Sequence, residues 1–195
     1  MKTRIVAGIA GVAVVLAVTA VMAQVAGGEA LKRPRDLREL VFLTSGHGMS
    51  YGPARDAAGA SPPFTNVYVN PEAYRAFMQS GVWPEGATFF LEVRRAESHV
   101  SINQGGASQG ALLGIEAAKK DHALNPEGGW SYFDFGEGGK NESARAEPRT
   151  ASCYSCHSKH GAVEWTFTQF YPEQFAVARA RGTVRKDYDP NLKAE

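Results

Sequence analysis

Cysteine is scarce in this chain of 195 residues: there are two, Cys153 and Cys156, both inside the segment ASCYSCHSKH. A disulfide between them would close a small strained loop. A tetrahedral zinc site would have to take its remaining ligands from histidine, here His157 and His160. Charge of one sign is also lacking. Lys and Arg total 21 against 20 acidic residues, for a net charge of +1, and no Lys/Arg run marks a polyanion groove. Nucleic acid is therefore not an expected partner. There is no internal repeat and no low-complexity tract. The 21 glycines and 10 prolines argue against long uninterrupted helices. At 44% hydrophobic and 21% charged, the chain has the material for a single core once any targeting segment is set aside.

What is present begins at the N-terminus. MKTR is a short basic region, and IVAGIAGVAVVLAVTAVMA is an apolar run without charge. Small residues precede Gln24, so residues 1–23 are read as a signal peptide cleaved after Ala23, with an uncleaved membrane anchor as the alternative. Either way the globular part is expected outside the cytoplasm, in the periplasm if the host is a bacterium. Residues 24–36 form a polar lead-in, 37–185 the domain, and 186–195 a polar tail.

Apolar Leu37, Leu40, Val41 and Leu43 recur at helical spacing behind Asp36 as N-cap. SGHGMSYGPARDAAGASPP is a loop. FTNVYVN alternates as a strand, and PEAYRAFMQSG is a helix with Pro71 in its first turn and Gly81 past its end. ATFFLEVRRAES is the strongest strand pattern, and GASQGALLGIEAAKKD is a strand or short helix. GGWSYFDFG is a strand with Trp130, Tyr132 and Asp134 on one face and Ser131, Phe133 and Phe135 on the other. Residues 136–150 form a loop, and GAVEWTFTQFYPEQFAVARA one or two helices broken near Pro172. This order predicts an α+β domain, a mainly antiparallel β-sheet flanked by helices.

Cys153-Tyr154-Ser155-Cys156-His157 is C-x-x-C-H, the attachment sequence of a c-type haem. Its chemistry accounts for each fixed position. Two thiols add to the two vinyl groups, the two spacers give the reach between them, and the following histidine ligates the iron. A thioredoxin-like pair would sit in a βαβ setting, and none surrounds this one. Adjacent ligands at Cys156 and His157 would cramp a zinc tetrahedron. The motif uses every cysteine of a chain that carries an export signal, so one covalent haem c is the expected cofactor, with His157 as the metal ligand.

VYVNPEAYRAFMQSGVWPEGATFFLEVRRAES, GGWSYFDFG and CYSCHSKHGAVEWTFTQFYP follow one another in the chain. In these segments it resembles the cytochrome P460 family, which includes the cytochromes c′-beta. The resemblance spans most of Arg38 to Pro172. It implies a mainly antiparallel sheet with helices, a haem attached near the C-terminus, pentacoordinate iron on His157, and a homodimer. It also implies chemistry on small nitrogen species: hydroxylamine oxidation in P460 proper, nitric oxide binding in the c′-beta members. P460 enzymes add a covalent bond from a strand lysine to the haem edge. Here no lysine lies between Lys32 and Lys119, and Arg94 and Arg95 stand on that strand. Guanidinium cannot take over the nucleophilic role, so the chain is expected among the members without the cross-link.

Candidate sixth ligands are Met49, His47, His99 and His122, each set against an ordinary packing or surface role; His160 is expected to face solvent. Phe89, Phe90, Phe133 and Phe135 are candidates for the pocket wall or for sheet core. Arg94 either faces the haem, where it would donate to a ligand or propionate, or is a strand surface charge. Two functional classes follow. One binds or senses nitric oxide, or passes single electrons to a redox partner protein, without turnover. The other is an oxidoreductase acting on hydroxylamine or nitric oxide.

Overall fold

The computed structural model describes residues 30–49 and 61–192. The signal-peptide reading of residues 1–23 lies outside them. Among the described residues no helix is long and apolar enough to cross a membrane.

Five strands form one antiparallel sheet: β2 (Val41–His47), β3 (Phe64–Val69), β4 (Thr88–Ser98), β5 (Ala107–Lys120) and β6 (Trp130–Glu137). They lie side by side in sequence order. Two short strands, β1 (Ala30–Lys32) and β7 (Ser143–Arg145), pair as a separate antiparallel ribbon. Three helices complete the domain: α1 (Pro71–Ser80), α2 (Ser152–His160) and α3 (Pro172–Arg181). The architecture is α+β with a mainly antiparallel sheet and flanking helices, as the sequence predicts.

The period-2 alternation of the strands divides the core into two. On one face Val69, Phe89, Trp130 and Tyr132 pack with Phe77, Trp83, Tyr154 and Tyr171 from the helical side. On the other, Tyr68, Phe90, Ile115, Phe133 and Phe135 pack against Leu37 and Ala144. Trp83, Trp130, Phe77 and Phe135 are fully buried, each worth about 1.5–3 kcal/mol or more by removal from water. Helix α1 starts at Pro71, ends at Gly81 in the left-handed region, and buries Ala73 and Phe77. Thr183 beyond α3 donates to the Gly81 carbonyl at 2.6 Å, tying the two helices together.

Local sequence and structure part company in several places; the loop expected over residues 136–150 contains β7, which pairs with β1. The helical spacing from Leu37 to Leu43 yields one 3-10 turn, Leu37–Glu39, capped by Asp36, and then strand β2. Sheet pairing with β3 overrides the spacing there. The ambiguous segment before Lys120 is a strand of 14 residues. Before Pro172 there is a bend and a 3-10 turn at Thr168–Phe170, so only α3 is helical there.

Candidate functional site

Helix α2 carries the C-x-x-C-H motif, which places Cys153, Cys156 and His157 at i, i+3 and i+4, on one helical face. That face closes a cavity of ≈ 510 Å³ whose opposite wall is the sheet, a size usual for cofactor pockets. Cys153, Cys156, His157, Phe89 and Phe133 all border it. The ring of Phe133 belongs to the cluster on the far face of the sheet, as does that of Phe90.

His157 is the most constrained side chain of the site. Its ring stacks on Phe167 at 4.2 Å between centroids and lies 4.5 Å from Tyr132. Nδ1 donates to the Trp165 carbonyl at 2.8 Å. Burial pushes the imidazole pKa down to about 4, against the partial support of that hydrogen bond. The ring is therefore neutral at pH 7 with its proton on Nδ1, which leaves Nε2 as the basic nitrogen. This is how a ligating histidine is held by an outer hydrogen bond. No disulfide joins Cys153 to Cys156, and burial raises the pKa of each thiol.

Helix α2 is anchored at both ends. Tyr154 donates to the Glu147 carbonyl at 3.1 Å, and the Arg149 guanidinium stacks 4.4 Å over the Tyr154 ring. At the C-terminal end Arg185 donates to the Ser158 and Gly161 carbonyls, satisfying acceptors that a helix end leaves open. Gly161 is required by contact: a Cβ there would lie 2.6 Å from the carbonyl carbon of Trp165.

Arg94 is directed away from the cavity. It pairs with buried Glu92 at 2.8 Å and donates to the Gly110 carbonyl. Of the candidate sixth ligands only Met49 borders the cavity. His47 stacks on Phe64 at 4.4 Å, His122 is bound to Glu85, and His99 is exposed beyond β4. Of β4, Phe89, Phe90 and Leu91 reach the cavity, and none carries an amine.

Three carboxylates also border the cavity, Glu116, Asp134 and Glu147. Glu116 and Asp134 are cross-strand partners. Desolvation raises the Glu116 pKa, with the Asp134 and Glu147 charges adding to it. The alternation of β6 assigns Asp134 to this face. Glu116 is not legible in the same way, because its strand reads equally as a helix.

The wall also fits a haem in its polar atoms. Trp130 Nε1 and the Tyr132 hydroxyl are buried on the cavity-facing side of β6 without a hydrogen-bond partner. Buried donors are ordinarily paired, and a group bearing acceptors, as haem propionates are, would suit them. Among the described residues no group of three or more Cys, His, Asp or Glu is arranged to hold a metal ion by itself. The four-ligand zinc alternative therefore has no geometric support.

No curated protein matches the chain in sequence. A family model, that of cytochrome P460, matches residues 34–168, more than half of the chain and all of the cavity wall from β2 to α2. Membership implies a haem cofactor, in agreement with the cavity, the neutral histidine and the unpaired donors. The chain belongs to the cytochrome P460 family.

Proposed function

We propose that the protein is an exported monohaem c-type cytochrome that leaves one face of the iron open to a small ligand such as nitric oxide. The carrying observation is that Cys153, Cys156 and His157 border one cavity from one helix face while Nδ1 of His157 is already spent on Trp165. Each thiol would add across a vinyl group, sulfur to one carbon and hydrogen to the other, so no oxidant is consumed. A bound haem would supply an iron that takes a diatomic ligand and passes single electrons. The chain's own residues orient the imidazole, exclude water with Phe89, Trp130 and Phe167, and, of the sixth-ligand candidates among the described residues, bring Met49 alone to the cavity. Export through the N-terminal segment, a homodimer and a redox partner protein belong to the same reading.

Glu116 favours a second reading, an oxidoreductase acting on hydroxylamine. A cavity carboxyl with a raised pKa can take up or return the protons such an oxidation releases. Against it, the strand where the family's cross-linking lysine is expected offers Leu91 to the cavity.

Denaturing electrophoresis with a haem stain tests the attachment. The wild-type band should stain and the Cys153→Ala, Cys156→Ala double variant should not; a stained double variant overturns the proposal. The stained protein should bind nitric oxide with ordinary c-type absorption bands. Turnover of hydroxylamine with an artificial electron acceptor, near the usual ~1–10³ s⁻¹, would establish the second reading.

A further inference from the structure

The carbonyl that receives the His157 proton belongs to an unusual piece of backbone. Glu164 and Trp165 are consecutive non-glycine residues in the left-handed region, at φ 46° and 64°. Each such residue is strained and persists only where its surroundings over-determine it. Here the surroundings can be named. The Glu164 carboxylate is held at both oxygens: Oε2 accepts from the Trp83 backbone N–H at 2.9 Å, and Oε1 from Lys120 Nζ at 2.7 Å. Lys120 is 4% exposed and also donates to the Trp83 carbonyl at 2.6 Å. It does not border the haem cavity. A buried lysine is tolerated only when paired and hydrogen-bonded, and this one bridges the end of β5 to the residue preceding Trp165.

We propose that Lys120 and Glu164 are positioning residues for the proximal histidine. Their ion pair, Lys120 buried and Glu164 partly exposed, holds the left-handed bend, the bend aims the Trp165 carbonyl at Nδ1 of His157, and the strength of that bond sets the donor character of Nε2. This rests on the haem reading above. A stronger Nδ1–H···O bond makes the imidazole a stronger donor and favours the oxidised iron. Loosening the bend should weaken the bond and raise the reduction potential.

The test compares Lys120→Met and Glu164→Gln with an Asn66→Ala control on the opposite face of the sheet, all in the haem-bearing protein. Resonance Raman of the ferrous form should show the iron–histidine stretch at lower frequency in both variants and unchanged in the control. At a fixed poise the reduced-to-oxidised ratio should rise about tenfold in Lys120→Met, which is 59 mV for a one-electron couple. Glu164→Gln keeps one acceptor oxygen of the two and loses one of these bonds with the charge; it should shift less, so it carries the test if Lys120→Met does not fold. A wild-type stretch and potential in a haem-bearing variant overturn the proposal. Should the wild type itself fail to stain for haem, the haem reading fails separately. The Nδ1–H proton of His157 then decides the positioning claim by NMR. Faster exchange in Lys120→Met supports it, and unchanged exchange overturns it.

Discussion

Arg94 and Leu91 stand on the same strand and meet opposite environments. Leu91 borders the cavity, while Arg94 closes a network on the far face with Glu92, Asn66 and Tyr68. Alternation along β4 does put Arg94 on the face of Phe90 and Glu92, since the irregular pairing on both sides of it takes its extra residues from β5; which of the two faces meets the cavity is what sequence leaves open. Burial works to raise the Glu92 pKa, but hydrogen bonds from Arg94 and Asn66 outweigh it and hold the carboxyl below its ordinary value. A depressed folded pKa contributes stability that is complete above the unfolded value, ~4.3, and is lost as pH falls through the folded value. Arg94→Ala should therefore lose about 3–5 kcal/mol at pH 7, the cost of leaving one buried charge unpaired, and should lose less at pH 4. Denaturant titrations at the two pH values measure the difference; an equal loss at both would rule out the ion pair as its source.

At the scale of elements, the strands that alternate cleanly, β3 and β6, are legible from sequence, and so is α1; the C-x-x-C-H motif is legible as chemistry but not as the helix it forms. Alternation along β6 groups Trp130 and Tyr132 against Phe133 and Phe135 but does not say which pair meets the cavity: Trp130 and Tyr132 pack with the α2 side, while Phe133 and Phe135, the candidates from sequence, pack in the far-face cluster. What sequence conceals is contact between elements distant in the chain. Trp165 shows this: its carbonyl serves α2, while its ring lies against the loop before β6. Gly128, at φ 75°, leaves room for it, since a Cβ there would come within 2.4 Å of the Trp165 ring. No local pattern announces that meeting. Gly128→Ala should cost ~2–3 kcal/mol, combining left-handed strain with a displaced indole. Thermal melts should show the loss together with a changed near-ultraviolet tryptophan signal. A stable variant with a native signal would mean the loop absorbs the methyl.

Taken whole, the molecule joins a sheet of sequence neighbours to a C-terminal part that, among the described residues after Arg145, adds no further strand. The meander is held by its own ladders, whereas α2 depends on side-chain ties from Arg149 and Arg185 and on what fills the cavity. Local opening should therefore be graded. In hydrogen exchange, amides of β3, β4 and β5 should keep their protection in the Cys153→Ala, Cys156→Ala variant, while those of α2 should lose most of theirs. Uniform loss across both would show one cooperative unit. The strand order carries a consequence for synthesis. Because each meander strand after β2 pairs with the one before it, a chain delivered N-terminus first presents a wall that is complete at Glu137, ahead of either thiol. The attachment helix is thus delivered late to a surface already shaped, and the interval before it docks is the time in which a flat, apolar ring can enter.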